Sequence, residues 1–291
     1  MPLSRGALLA AGSALAYGAL GPLAKLAYAE GWGVPSLLVA RFGVAALCVL
    51  PFALRRRASP RGLAAGFLVG AVGYAGTTAL YFPSLRALPA AVASFLLYLA
   101  PVLVAALSWL LLRERITPRV GLALGVALAG LAVIAAGAWG GALSPEGVAL
   151  AAGSAVVFAL TVIASRRAVR GEPWAPVTLM VCLGACSTYV VAASVTGRLE
   201  APLSAPGIVY ALLIGALATG LALSLFFLAI DRIGASRTAI VSTLEPASTL
   251  VFAVVLLGEW PGAAGVAGGA LIAAGALLVA LGGDPEPPPP A

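Results

Sequence analysis

The stretch LYFPSLRALPAAVASFLLYLAPVLVAALSWLLLRE occupies residues 80–114, and the stretch LFFLAIDRIGASRTAIVSTLEPASTLVFAVVLLGE occupies residues 225–259. Shifted by 145 residues, the two stretches align without a gap. The identities include residue types that are scarce in an apolar chain: Phe82 with Phe227, Pro101 with Pro246, and Glu114 with Glu259. Leucine and alanine matches arise easily by chance in such a chain, whereas a proline and a glutamate at the same spacing do not. We therefore expect an internal duplication.

The duplication extends toward the N-terminus. The segment AAGSA at residues 10–14 returns at residues 151–155, a shift of 141, so the loops of the two copies differ by four residues. These shifts predict a first repeat over residues 1–140 and a second over residues 141–283. The proline-rich tail, residues 284–291, is expected to be disordered and to lie in the cytoplasm.

Both copies are apolar enough to lie in a membrane. The 291 residues are 62% hydrophobic and 9% charged, against about 25% charged residues in a soluble domain. A membrane span needs about 20 apolar residues. With proline, arginine clusters and glycine-rich breaks as boundaries, we predict an all-α membrane protein with ten transmembrane helices, at roughly 5–29, 35–54, 61–82, 89–112, 118–138, 146–165, 174–195, 206–229, 234–257 and 262–282.

The distribution of arginines predicts how these spans are oriented. Cytoplasmic loops carry an excess of Lys and Arg, and with a cytoplasmic N-terminus the outer segments hold only Arg86 and Arg198. The inner segments then hold thirteen arginines: Arg5, Arg55, Arg56, Arg57, Arg61, Arg113, Arg115, Arg119, Arg166, Arg167, Arg170, Arg232 and Arg237. Both termini are therefore predicted to be cytoplasmic. Five spans per repeat place the second copy upside down relative to the first, and inverted repeats are a recurring architecture of secondary transporters.

Several other functions fit the sequence poorly. The chain contains no histidine, which removes histidine-based catalytic triads and most zinc sites. Its two aspartates, Asp231 and Asp284, lie at predicted cytoplasmic ends, so an intramembrane protease is nearly excluded. A channel is a remote alternative because the sequence shows no selectivity-filter motif. A structural subunit is also a remote alternative because the sequence shows no extramembrane domain. We expect no catalytic residue, no metal site, no cofactor and no nucleic-acid partner.

The order and doubling of several short motifs make the chain similar to a known family. The motifs are Ala40-Arg41-Phe42 with Ala45-Ala46-Leu47, then Leu80-Tyr81-Phe82, Pro101 and Leu111–Thr117, and in the second half Phe226-Phe227, Pro246 and Leu256-Leu257-Gly258-Glu259. Over residues 5–282 the chain resembles the EamA-type ten-helix carriers of the drug/metabolite transporter superfamily. The sequence Trp260-Pro261 after Glu259 departs from the pattern. The resemblance implies export of small metabolites, and the amino-acid exporters of the family are the most similar in length.

Glu245 is the outstanding candidate for a functional residue. An ionisable side chain deep in a span costs about 2.5–3.5 kcal/mol and faces a bundle interior or cavity. Glu245 lies about twelve residues into the ninth predicted span, where Thr238, Ser242, Glu245 and Thr249 are expected to share a helix face. Glu245 can bind a substrate amine or carry a proton. The alternative is a structural hydrogen bond to a neighbouring helix.

Aromatic and hydroxyl side chains complete the predicted site. Such groups need polar partners inside a membrane, and a cavity lined by them suits amphipathic solutes. The predicted substrate-binding residues are Tyr17, Tyr74, Thr78, Tyr81, Tyr98, Phe158, Ser242 and Glu245. The alternative for each is interhelical packing.

Two prolines and two cations have further candidate roles. Pro101 and Pro246 lie near the middle of spans four and nine, where proline kinks a helix, so we predict hinges, with static curvature as the alternative. Lys25 and Arg41 are expected to extend toward the outer interface, with attraction of a carboxylate at the outer mouth as the alternative.

The sequence predicts a secondary transporter that works by alternating access between the two repeats, and the resemblance implies that it exports small metabolites, most of all amino acids. A multidrug or other metabolite carrier is the main alternative. The expected partners are a small amphipathic solute and the lipid bilayer, and the expected location is the bacterial inner membrane. We expect a monomer, with a dimer through small-residue helix faces as the alternative.

Overall fold

A computed structural model describes residues 4–88, 96–112, 117–137, 144–196, 204–258, 260 and 262–281. The chain is 89% helical and the described residues contain no strand, so the prediction of an all-α protein is confirmed. Within the described residues, seven helical stretches are long and apolar enough to cross a membrane: Arg5–Ala29, Val34–Ala53, Pro60–Tyr81, Pro118–Ala136, Pro145–Val169, Trp174–Val195 and Ala205–Ser242. Three shorter apolar helices accompany them, namely Ala100–Leu112, Leu244–Leu257 and Gly262–Leu278. The ten-span count therefore stays a prediction.

The described part of the first half is a succession of helices. In chain order they are α1 (Arg5–Gly18), α2 (Leu20–Ala29), α3 (Val34–Ala53), α4 (Pro60–Leu68), α5 (Ala75–Ala87), α6 (Ala100–Leu107) and α7 (Pro118–Gly137). A π-helical segment, Val69–Tyr74, joins α4 to α5, and a second one, Ser108–Leu112, extends α6. The predicted arginine clusters around Arg113 and Arg115 lie outside the described residues.

The second half has a similar succession of helices. They are α8 (Pro145–Val169), α9 (Trp174–Thr196), α10 (Ala205–Gly215), α11 (Ala222–Ser242), α12 (Leu244–Leu257) and α13 (Gly262–Ala280), with a π-helical segment, Ala216–Leu221, between α10 and α11. Helix α11 bends sharply at Gly234, whose φ of 81° and ψ of 171° are not helical. This bend separates the predicted eighth span from the ninth.

Serine side chains define where several helices begin. The hydroxyls of Ser4, Ser59, Ser144 and Ser204 each accept a hydrogen bond from the backbone N–H three residues later. Such an N-cap satisfies a donor that the helix itself cannot, and it is worth about 1 kcal/mol. Ser59 and Ser204 lie 145 positions apart, so the shift that aligns the two halves of the sequence also aligns these caps.

The two halves pack against each other along their whole length. The most extensive interfaces are α7 with α13, α3 with α9, α1 with α11, and α5 with α8, and each joins a first-half helix to a second-half helix. Glycine allows the closest of these approaches: a Cβ atom at Gly130 would lie 2.5 Å from the carbonyl oxygen of Gly268, and a Cβ atom at Gly268 would lie equally close to that of Gly130. The largest buried cluster also draws on both halves, with Phe42 and Val104 from one and Val162 and Phe227 from the other.

Two similar contacts tie the halves together at opposite ends of the bundle. At one end, Glu172 accepts hydrogen bonds from the hydroxyl and the backbone N–H of Ser59 at the start of α4. At the other end, the hydroxyl of Ser204 at the start of α10 donates to Glu30 at 2.7 Å. Each contact joins a loop of one half to a helix start of the other half, so the chain has two related tethers between its halves.

Candidate functional site

Glu245 lies at a break in the helix rather than in the middle of a continuous one. Helix α11 ends at Ser242, Thr243 forms a turn, and α12 begins at Leu244. Pro246 explains the break because it has no N–H to donate to the preceding helical turn. The expected single face from Thr238 to Thr249 is therefore interrupted, and Glu245 occupies the first turn of α12. A helix N-terminus carries partial positive charge, which stabilises a carboxylate there.

The other predicted hinge has the same local structure. Residues Tyr98 and Leu99 form a turn, and α6 begins at Ala100 with Pro101 in its first turn. Pro101 and Pro246 thus both start a helix after a break, instead of bending a continuous helix as the sequence predicted. Each break leaves backbone groups without helical partners, and such broken helices surround the binding sites of many transporters.

Tyr98 connects the two breaks. Its hydroxyl lies within hydrogen-bonding reach of the Glu245 carboxyl, and Tyr81 is close enough to interact electrostatically with Tyr98. Tyr98, in the turn before α6, therefore faces Glu245, in the first turn of α12. Three of the predicted site residues thus come together across the interface between the halves.

Tyr17 and Tyr74 join the same cluster from α1 and from the π-helical segment that ends at Tyr74. Each lies near the other and within electrostatic range of Glu245. Tyr17, Tyr74, Tyr98 and Glu245 are enclosed by the bundle, yet all four are half-buried and not fully buried. The structure therefore brings three tyrosines and a carboxylate together between the halves, with part of their surface accessible.

The remaining predicted residues contribute less directly. The hydroxyl of Thr78 donates to the carbonyl of Tyr74, and that of Ser242 donates to the carbonyl of Thr238. Both donors are thus used within their own helices. The half-buried Phe158 packs against the largest core cluster. Among the described residues, none of these three side chains donates a hydrogen bond to Glu245.

Arg41 belongs to the site, although the sequence analysis placed it toward the outer interface. Its Nε donates to the hydroxyl oxygen of Thr219 at 2.8 Å, and its guanidinium lies 4.9 Å from the centre of the Phe42 ring. It is within electrostatic range of Tyr17, Tyr74 and Glu245. Lys25, by contrast, is exposed. The sequence shows that Arg41 is an ionisable residue inside a predicted span. The sequence analysis placed its side chain toward the membrane interface, with attraction of a carboxylate at the outer mouth as the alternative.

Three further residues near Arg41 were missed. Thr219 holds the guanidinium, and Cys182 and Tyr189 lie within electrostatic range of it. Tyr189 stacks on Phe42 with ring centres 5.8 Å apart. Nothing in the sequence distinguishes these side chains from ordinary packing residues, because their importance comes from the helix that faces them.

A membrane-embedded helical bundle with a polar site enclosed between two similar halves belongs to the class of proteins that move small solutes across membranes. The comparison with known families makes the assignment specific. The chain belongs to the EamA-like transporter family, whose model matches residues 4–136 and again residues 145–281. Members of this family are membrane transporters, and the apolar helices of this chain agree with an integral membrane protein.

Individual relatives support the same assignment. The chain is 33% identical over 178 residues to a Bacillus subtilis (strain 168) protein named uncharacterized transporter YvbV. The match covers 60% of this chain and 58% of that protein, so the chain spans less than two thirds of this relative. A protein of known crystal structure is 24% identical and superposes with a TM-score of 0.80 over 96% of this chain and 98% of its own. At that identity the likeness concerns the fold alone.

Proposed function

We propose that this protein is a secondary transporter that exports amino acids or closely similar amphipathic metabolites. The observation that carries the proposal is the position of Glu245 and its tyrosine partners Tyr17, Tyr74 and Tyr98, which lie between the two halves at a helix break. A carboxylate can bind a substrate ammonium group, and the aromatic rings can cover an apolar side chain. A solute with both features suits this lining.

The proposed architecture has ten spans in two inverted repeats of five, over residues 1–140 and 141–283. The two stretches matched by the family model and the paired tethers Glu30–Ser204 and Glu172–Ser59 support it. The proposed location is a bacterial inner membrane. The arginine-rich loops, both termini and the tail at 284–291 are proposed to lie on its cytoplasmic side, because cytoplasmic loops carry an excess of Lys and Arg. The proposed unit is a monomer.

The proposed mechanism is alternating access. The halves move relative to each other so that the site around Glu245 opens to one side of the membrane at a time. The breaks before Pro101 and Pro246 are the proposed hinges, because a helix interrupted at a turn bends there more easily than along a hydrogen-bonded stretch. Glu245 binds the amine of the solute, and it carries a proton when no solute is bound.

A multidrug carrier, or an importer of another metabolite, is the alternative within the same fold. It is favoured by the tyrosine-rich lining, since aromatic side chains bind organic cations of many shapes. A channel or a structural subunit is the remote alternative.

Transport by the purified protein in proteoliposomes tests the proposal. A panel of labelled amino acids and organic cations is offered at two opposite pH gradients. We expect saturable uptake of one or more amino acids, competed by the same unlabelled solute. Uptake of organic cations alone would favour the multidrug carrier, and uptake of neither class would contradict the proposal.

A further inference from the structure

Arg41 carries a charge inside the bundle, and no residue that the structure describes forms an ion pair with it. It lies seven residues from the start of α3 at Val34, or about 10 Å into the span at 1.5 Å per residue. No carboxylate of the described residues forms an ion pair with it; its polar partner is the uncharged Thr219. An isolated charge at this depth is costly, so an anion that binds there would be strongly favoured.

Glu245 is in the complementary situation. Among the described residues it has no ion-pair partner, and the uncharged Tyr98 lies within hydrogen-bonding reach of its carboxyl. Arg41 and Glu245 are within electrostatic range but form no salt bridge with each other. Arg41 and Glu245 thus carry opposite charges in the same enclosed region. Arg41 is held by its hydrogen bond to Thr219, and Glu245 is held in the first turn of α12, so the two groups stay apart.

Two tyrosine hydroxyls near Arg41 form no hydrogen bond of good geometry within the described residues. The hydroxyls of Tyr17 and Tyr189 are buried without a partner of hydrogen-bonding geometry, although Tyr74 lies near the first and Thr78 near the second. Tyr189 is 8% exposed. A buried donor without an acceptor costs about 1–3 kcal/mol. The region around Arg41 therefore holds a guanidinium and two tyrosine hydroxyls, all of which can donate to an anion.

We propose that Arg41, with the hydroxyls of Tyr17 and Tyr189, forms a subsite for the carboxylate of the transported solute, close to Glu245 but not ion-paired with it. The substrate class is then a zwitterion with one amine and one carboxylate. This inference rests on the proposed transport function and adds the group that selects an amino acid over an amine.

Charge balance favours a zwitterion over other anions. A carboxylate accepts hydrogen bonds and donates none, which matches a guanidinium flanked by hydroxyl donors. One amine and one carboxylate neutralise Glu245 and Arg41 together and leave the loaded cavity without net charge. A phosphate dianion would exceed the single positive charge of Arg41 and would be repelled by Glu245.

The test compares the best-transported amino acid of the panel with its amide, which keeps the amine and replaces the carboxylate by a neutral group. Each competes for uptake of the labelled amino acid into proteoliposomes. We expect the wild type to prefer the acid by about 10-fold or more, the range for a hydrogen bond to a charged group. In Arg41→Gln the preference should fall close to 1, and Arg41→Lys should restore part of it.

Tyr189→Phe and Glu245→Gln complete the design. Tyr189→Phe removes one donor and should weaken competition by the acid several-fold without changing that by the amide, which keeps the proposal testable if Arg41→Gln does not fold. Glu245→Gln should weaken both competitors and leave their ratio unchanged.

The outcomes separate the two proposals. A wild type that transports amino acids but does not distinguish acid from amide would overturn the carboxylate subsite and leave the transport function intact. An unchanged acid preference in both Arg41→Gln and Tyr189→Phe would also overturn the carboxylate subsite and leave the transport function intact. A wild type that transports neither compound would overturn the proposed function, and this inference with it.

Discussion

At the scale of single residues, the positions of the two interior charges depend on neutral neighbours. Thr219 accepts a hydrogen bond from Arg41 and donates its own proton to the carbonyl of Ile214 at 2.9 Å. That carbonyl is five residues back, as the π-helical register of this segment allows. Thr219 is fully buried, so its side chain has one orientation in which both bonds form. We interpret Thr219 as a positioning residue for Arg41.

Thr219→Val keeps the side-chain shape and removes the oxygen that accepts from Arg41. We expect the preference for the amino acid over its amide to fall several-fold, because the guanidinium is no longer held in place, while competition by the amide stays unchanged. Thr219→Ser, which keeps the hydroxyl, serves as the matched control and should resemble the wild type. Equal preferences in Thr219→Val and wild type would show that Thr219 does not position Arg41.

At the scale of helices, the interfaces between the halves depend on glycine at particular positions. Gly130 on α7 faces the backbone of Gly268 on α13, whereas a Cβ atom at Gly125 on the same helix would meet no described atom within 4 Å. Both positions are helical, so they differ in packing and not in backbone conformation. The pair isolates the effect of close helix approach.

Gly130→Ala should destabilise the protein, and Gly125→Ala should not. Alanine in place of glycine gains up to about 1 kcal/mol of helix propensity, but overpacking a tight contact costs about 1–3 kcal/mol. We therefore expect a lower unfolding temperature in detergent for Gly130→Ala and an equal or higher one for Gly125→Ala. A Gly130→Ala protein as stable as Gly125→Ala would mean that α7 and α13 are not in close contact.

The tether between Glu172 and Ser59 predicts a pH dependence of stability. Hydrogen bonds from the Ser59 hydroxyl, and next from its backbone N–H, lower the pKa of Glu172, which lies in the connection between α8 and α9. A carboxyl whose folded pKa is lowered stabilises the fold above its ordinary pKa, and this contribution is lost as the pH falls through the lowered value. The contribution is small because Glu172 lies at the solvent-facing surface.

Unfolding temperatures of wild type and Glu172→Gln, measured from about pH 6 to about pH 3, test this point. The wild type should lose more stability than the variant over the acidic part of that range, so the two curves converge at low pH. Parallel curves would show that the carboxylate does not act as a tether.

How far the sequence predicts these elements depends on what each element needs. The apolar spans follow from hydropathy, and the cap positions follow from serine at helix starts, because both are local properties. Pro246 predicted a distortion of the helix but not the turn at Thr243. Whether a proline bends a helix or ends one depends on its surroundings. Tyr189 and Thr219 were not predictable, since their roles depend on Arg41 reaching them from another helix.

At the scale of the whole molecule, the site lies where the two halves of the chain meet. Every major interface joins the first half to the second, and the tethers at Glu30 and Glu172 connect the halves at opposite ends. Between them, the breaks at Leu99 and Thr243 place Tyr98 against Glu245. A movement of one half relative to the other would therefore change the surroundings of Glu245 directly. This arrangement is the physical basis of the proposed transport cycle.

The most direct test of this account is counterflow of the best-transported amino acid in proteoliposomes that contain wild type, Glu245→Gln or Glu146→Gln. Glu146 is an exposed carboxylate at the start of α8, so its neutralisation controls for a general change of charge. We expect Glu245→Gln to lower counterflow by about 10-fold or more, as loss of a charged hydrogen bond implies, and Glu146→Gln to match the wild type. Counterflow by Glu245→Gln at the wild-type rate would contradict a site centred on Glu245 between the two halves.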